Sequence, residues 1–371
     1  MSDTDKSKSF YANPDIDSVT SECEAGGDVV VDTTTLYESD CEVSAIEPQS
    51  KKERKRLQKQ LKKKRKQEKK DAKLLKKNHK PYYKRRWRIG DRRDGRRLRS
   101  ITPMAKMIPY IMKVRADAQN HFEDEIDITN IEKYLNKKHE QGYKTLSLLH
   151  VLLASYVRCI AQRPGINRFC AGQKIYARNN IECVMSVKKE MKIDSPDTMI
   201  KVEFDPRDTV LEIAEKFDST VKEALSKQTN FDKTAKLFTL IPGIFLRFAV
   251  GALRFLDYFG LLPKKIADVS PFHGSFIITS MGSLGINAIY HHLYDFGNLP
   301  VFLCYGKKFS RNVIMNDGTV KKRSFITFKA VTDERICDGY YYASAFKIIN
   351  RQLQNPECLD IPPATVVEDV D

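Results

Sequence analysis

Along Ile200-Lys201-Val202-Glu203-Phe204 apolar and polar residues alternate, a period of two that predicts a half-buried strand. The period then changes, and Thr209-Val210-Leu211-Glu212-Ile213-Ala214 opens an amphipathic helix with Asp208 as its expected N-cap. Val301-Phe302-Leu303-Cys304-Tyr305 and Ser324-Phe325-Ile326-Thr327-Phe328 read as two strands flanking a turn at Asn316-Asp317-Gly318. A helix follows Asp338-Gly339, from Tyr340 to about Leu353. Strands and helices mixed in this way predict one long α/β domain.

Residues 237 to 262 are largely apolar but are interrupted by Pro242, Arg247, Arg254 and Asp257, and a central charge is costly in a bilayer. No membrane-spanning helix is therefore expected. Arg247 and Arg254 fall near one helical face, with Asp257 three residues beyond and able to pair. The favoured reading is a helix packed on the domain or on a neighbouring subunit. The alternative is a membrane-surface helix working together with a basic tail.

Charge divides the chain into three blocks. Residues 1 to 50 hold 12 Asp/Glu against 2 Lys/Arg, and residues 51 to 99 hold 26 Lys/Arg against 5 Asp/Glu, so the net +16 is concentrated in one stretch. The first block carries too little apolar surface to offset chain entropy and is expected to be disordered. The basic tail runs from 51 to 91, and its part from Lys51 to about Lys77 is built of good helix formers whose like charges repel, so helix is expected on binding something acidic. Nucleic acid, an anionic membrane surface, an acidic protein or the chain's own first block would each serve as partner through residues 51 to 88. Tyr82, Tyr83 and Trp87 among Lys84, Arg85, Arg86 and Arg88 suit base stacking or a lipid interface; equally, Trp87 packs the tail onto the core. The 8 cysteines show no Cys-x-x-Cys spacing and no secretory apolar run precedes them. Neither a metal site nor a disulfide framework is expected, and the cytoplasm is the expected compartment.

Thr332-Asp333-Glu334-Arg335-Ile336-Cys337-Asp338-Gly339 resembles the Asp-His-Arg-Val-x-Asp-Gly signature of the acyltransferase catalytic core of 2-oxo acid dehydrogenase complexes, within the chloramphenicol acetyltransferase-like superfamily. Other blocks recur in order. Thr102-Pro103-Met104-Ala105-Lys106-Met107-Ile108-Pro109 is similar to the family's opening helix, and Phe122 to Thr129 to the next strand and its turn into a helix. Lys144-Thr145-Leu146-Ser147 leads into an apolar helix closing on Arg163-Pro164-Gly165-Ile166-Asn167. Gly274-Ser275-Phe276-Ile277-Ile278-Thr279-Ser280-Met281-Gly282 resembles the strand written Gly-Thr-Phe-Thr-Ile-Ser-Asn-Leu-Gly. The resemblance covers residues 92 to 358, and the last residues, 359 to 371, are expected to be a disordered tail. It implies a two-layer α/β sandwich with a mixed sheet, assembled as a trimer with each active site between two subunits.

The implied chemistry is acyl transfer from a coenzyme A thioester to a thiol, hydroxyl or amine. It requires a base for the acceptor and a donor to the tetrahedral oxyanion. The family's oxyanion hydroxyl falls on Thr279, with Ser280 as fallback, and the aspartate that an arginine pairs to hold the loop falls on Asp338. The family's basic histidine is replaced by Glu334. A glutamate carboxyl ordinarily titrates near ~4.3 and a thiol near ~8.5, so burial would have to raise it for effective base catalysis. His291 and His292 are candidate substitutes, with His273 behind them. Ala105 and Ile111 replace the opening helix's arginines, leaving Arg97, Arg99 or Arg335 to pair in their place. No lipoyl-type hairpin is found, so no lipoyl group is expected on this chain, and the acceptor is a lipoyl domain of another protein or a small diffusing molecule. The alternative function is a catalytically inactive trimeric scaffold recruited through its basic tail.

Overall fold

Contacts divide the chain into Met1–Lys84 and Arg85–Asp371. The computed structural model describes residues 87–188, 197–226 and 242–370, all in the second unit. The expectations for the acidic block and for most of the basic block therefore lie outside the described residues.

The elements run β1 (Gly95–Arg97), α1 (Pro103–Ile111), β2 (Gln119–Asp127), α2 (Thr129–Glu140), α3 (Leu148–Gln162), β3 (Arg168–Ala171), β4 (Lys174–Arg178), β5 (Ile181–Lys188), β6 (Asp197–Phe204) and α4 (Val210–Ser226). They continue with α5 (Gly243–Tyr258), α6 (Lys264–Val269), β7 (Phe276–Ser280), β8 (Val301–Ile314), β9 (Val320–Asp333) and α7 (Gly339–Gln354). A six-stranded sheet has the order β2-β9-β8-β7-β5-β6, and a small sheet the order β1-β4-β3. The large sheet is mixed: β7 is parallel to both β5 and β8, and the other pairs are antiparallel.

The helices α2, α3, α4 and α7 cover one face of this sheet, giving the two-layer α/β arrangement expected. Apolar residues surround α3 on every side, which is why it is buried from His150 to Ala161 at the centre of the layer. Its N-terminus is fixed by a capping box between Ser147 and His150. The strands meet this layer through Phe276, Ile278, Leu303 and Ile326, each burial worth roughly 1.5–3 kcal/mol.

Three local expectations are corrected. Asp208 does not cap α4: its carboxylate accepts the Asp205 N–H at 2.7 Å and binds Lys216. Thr209 is the capping residue, accepting from the Glu212 N–H at 3.4 Å. Residues 359 to 370 are not a loose tail, because Asp369 pairs with Arg168 and the Val367 N–H donates to the Ala161 carbonyl. Trp87 does not pack onto the core, being 70 % exposed.

Candidate functional site

The loop after β9 is built around Asp333, which is 0 % exposed. Its Oδ1 accepts from Arg335 Nε at 2.8 Å, and its Oδ2 accepts from Arg335 Nη2 at 2.7 Å and Arg115 Nε at 3.2 Å. The two guanidinium groups then reach outward. Arg115 donates to the carbonyls of Tyr294 and Gly297, and Arg335 to those of Met112 and Lys113. The Asp333 carbonyl accepts from the Tyr342 hydroxyl in α7. Asp333, through its carboxylate and its own carbonyl, thus ties together the end of α1, the segment before β8, the loop and α7. Burial opposes the Arg335 charge, but its hydrogen bonds and charge contact with Asp333 prevail and hold its pKa above the ordinary value.

Glu334 is fixed through its backbone, whose N–H donates to the Ala118 carbonyl at 2.8 Å. Its half-buried side chain makes no hydrogen bond or ion pair among the described residues. The loop therefore presents an unpaired carboxylate on a rigid mount. Asp338 departs from its expected role: it caps α7 by accepting the Tyr341 N–H at 2.8 Å, while the arginine-paired aspartate is Asp333. Of the candidate arginines, Arg335 belongs to this clamp, whereas Arg99 pairs with Asp91. Arg115 was not expected, having no periodic or motif signal, and its partner lies 218 residues away. Cys337 in the same loop stays a thiol, burial pushing it up to about 12.

Thr279 and Ser280 end β7 and face opposite sides of the sheet, as strand alternation requires. Ser280 belongs to the helix side, where it lines a cavity of about 370 Å³ with Ile131, Leu135, Leu148, Tyr305 and Lys308. It is therefore not a fallback for the same oxyanion. Thr279 pairs with Cys304 across the ladder on the face the helices leave free. Its half-buried hydroxyl makes no hydrogen bond among the described residues.

The segment 286–294 crosses that free face. The Ala288 N–H donates to Thr327 Oγ1 and the Ile289 N–H to the Cys304 sulfur. Gly306 permits this close approach, since a Cβ there would stand 2.4 Å from the Ala288 nitrogen. His291 stacks on Phe302 with ring centroids 4.2 Å apart and planes within 7°. Its Nδ1 lies 2.9 Å from the His292 carbonyl, which can only accept, so Nδ1 carries the proton and Nε2 keeps its lone pair in the neutral ring. His292 is exposed beside it. His273 is elsewhere, buried with Nε2 3.6 Å from Asp257.

Phe302 pairs with Ile277, two residues before Thr279, so the His291 ring lies about one pleat, roughly 7 Å along the strand, from the Thr279 level. Glu334 is farther. Thr279 faces Cys304, Cys304 faces Lys329, and Glu334 follows five residues later, on the order of 15 Å along the ladder. Within one chain the Thr279 hydroxyl and the Glu334 carboxylate do not meet.

No protein-family model matches the chain, and no curated protein sequence does. Among solved structures, it is similar to a probable dihydrolipoamide acetyltransferase from Listeria monocytogenes, with 17 % identity and a TM-score of 0.44 over 70 % of this chain and 95 % of that one. It is also similar to the cubic core of a pyruvate dehydrogenase multienzyme complex, with 15 % identity and a TM-score of 0.48 over 75 % of this chain and 95 % of that one. A chloramphenicol acetyltransferase matches with 12 % identity and a TM-score of 0.41 over 68 % of this chain and 96 % of that one.

Proposed function

We propose that the chain is an acyltransferase that works as a homotrimer, each site pairing Glu334 of one copy with Thr279 of the next. The observation carrying this reading is the combination of two groups without a partner among the described residues, a carboxylate on a clamped loop and a hydroxyl on an open sheet face, that one chain holds apart. The order of the sequence motifs supports the reaction class. The donor is a coenzyme A thioester and the acceptor a small thiol, hydroxyl or amine, or a lipoyl group on another protein.

The Glu334 carboxylate takes the proton from the acceptor as its sulfur, oxygen or nitrogen attacks the thioester carbonyl carbon. Thr279 donates a hydrogen bond to the oxyanion that forms. Collapse of the tetrahedral intermediate breaks the bond to the coenzyme A sulfur, which leaves with the proton Glu334 had taken. A second reading keeps the reaction but makes His291 Nε2 the base, favoured by its free lone pair on the Thr279 face.

The test is acyl-CoA-dependent release of coenzyme A thiol with dihydrolipoamide as acceptor. Glu334→Gln is expected to abolish turnover with His291→Ala retaining it; the reverse result supports the second reading. A well-folded wild type that releases no thiol with acetyl or longer donors favours the inactive scaffold.

A further inference from the structure

We infer that α5 is a peripheral anchor for an anionic lipid surface, a binding function separate from acyl transfer. The helix is inverted relative to an ordinary surface helix. Ile244, Phe245, Phe248, Phe255 and Phe259, with Leu261 just beyond, are between 58 and 72 % exposed. At 100° per residue the first five share one face of about 100°, whereas Leu246, Leu253 and the buried Asp257 lie on the opposite side. The apolar stripe therefore points away from the body of the protein.

The helix is held in that attitude at its C-terminal end. Arg92 Nη2 binds Asp257 at 2.6 Å, Arg92 Nη1 donates to the Asp257 carbonyl, and the Tyr258 hydroxyl donates to Gln173 at 3.0 Å. Burial works to raise the Asp257 carboxyl, but the His273 ring and the Arg92 guanidinium bring it down to about 2. The acidic side chain of α5 is thus turned inward and paired.

The exposed charges of α5 itself are both cationic. Arg247 and Arg254 are exposed along one flank of the stripe, and in sequence Lys264 and Lys265 of α6 follow, with one exposed carboxylate, Asp268, beyond them. Long cationic side chains beside a stripe of phenylalanines suit the boundary between acyl chains and anionic headgroups. The same cations would repel each other if two copies met stripe to stripe.

Chain continuity adds a second signal. Residues 51 to 86 hold 20 Lys/Arg against 3 Asp/Glu, and this run ends six residues before Arg92, the residue bonded to α5. The basic run therefore joins the chain close in sequence to the residue that holds α5. Trp87 and Ile89, which lie between the two in sequence, are 70 and 89 % exposed. Neither a polybasic segment nor one short amphipathic helix holds a protein firmly at a bilayer, whereas the pair does. No described helix is long and apolar enough to cross a membrane, so α5 lies on the surface.

The test is co-flotation of the full chain with phosphatidylcholine vesicles, with and without phosphatidylserine, alongside sedimentation velocity without vesicles. The wild type is expected to float with the anionic vesicles. Phe248→Ser/Phe255→Ser is expected to lower partitioning at least about tenfold, with the sedimentation coefficient unchanged. Arg247→Gln/Arg254→Gln removes two headgroup contacts and should lower it by about tenfold as well. Wild type that stays at the bottom of the gradient overturns the proposal, as does a phenylalanine variant that floats like wild type. A phenylalanine variant that sediments as a smaller species also overturns it, because α5 would then be covered by a second copy.

Discussion

On the helix-covered face of the six-stranded sheet, Phe276, Ile278 and Leu303 disappear into a cluster that extends from Ile126 to Leu359. One residue along on the same strands, Ile277, Thr279, Phe302 and Cys304 face a much smaller cluster and the single segment 286–294. The strand period of two therefore sorts side chains into two jobs. The covered face supplies cohesion through many apolar contacts. The open face keeps a hydroxyl without a partner among the described residues and an imidazole held through Nδ1 and stacking alone, and the loop beside it keeps a carboxylate without a partner among those residues. Groups left free in this way cost stability or contribute nothing to it, which is the expected arrangement where chemistry is done.

Substitutions that separate the two jobs sharpen this contrast. Replacing Glu334 with Gln should lower the rate of thiol release by roughly 10²–10⁴-fold. Its urea unfolding midpoint should stay close to wild type, since the side chain has no partner among the described residues to lose. Asp333→Asn, one residue earlier, should do the opposite kind of damage. It leaves the Arg115 and Arg335 guanidiniums buried without their counter-charge, and unfolding free energy should drop by about 3–5 kcal/mol. If Asp333→Asn proves as stable as wild type, the clamp does not hold the loop.

Leu303→Ala and Thr279→Ala make a matched pair on neighbouring strands. The first should lower the unfolding free energy by about 2–5 kcal/mol. The second should lower turnover on the order of a hundredfold while moving stability by no more than about 0.5 kcal/mol. A Thr279→Ala variant that is unstable but fully active would break the comparison.

The smallest expected effect is a pH dependence outside both faces. The Asp257 carboxyl is held at about 2 against an ordinary 3.8, so its ionised form favours the folded state. That contribution is fully present above 3.8 and is lost as pH falls toward about 2. Urea titrations across this window should show wild type and Asp257→Asn converging as the pH drops.

Much of the framework was legible in the chain. The alternation at residues 200 to 204, the runs at 301 to 305 and 324 to 328, and the helix after Gly339 all fall inside β6, β8, β9 and α7. The Asp333-to-Gly339 pattern points to the loop and to Asp338 as its arginine partner, whereas in the structure Asp333 holds the arginines and Asp338 caps α7. A signal was present: Ala330-Val331-Thr332-Asp333 places a carboxylate at the end of an apolar strand, where only a paired charge is tolerated. Its partner Arg115 was not readable, because an ion pair across 218 residues leaves no local pattern. The opposed directions of Thr279 and Ser280 follow from the strand period alone. The exposure of α5 was not readable, since an apolar stripe looks the same whether it faces a core or solvent.

Subunit mixing tests the central claim most directly. Glu334→Gln and Thr279→Ala are each expected to be nearly inactive trimers alone. Dissociated and reassembled together, they should regain thiol release, because some sites then join an intact Glu334 from one copy to an intact Thr279 from another. A hybrid trimer as inactive as its parents, beside an active wild type treated in the same way, would contradict a site shared between subunits.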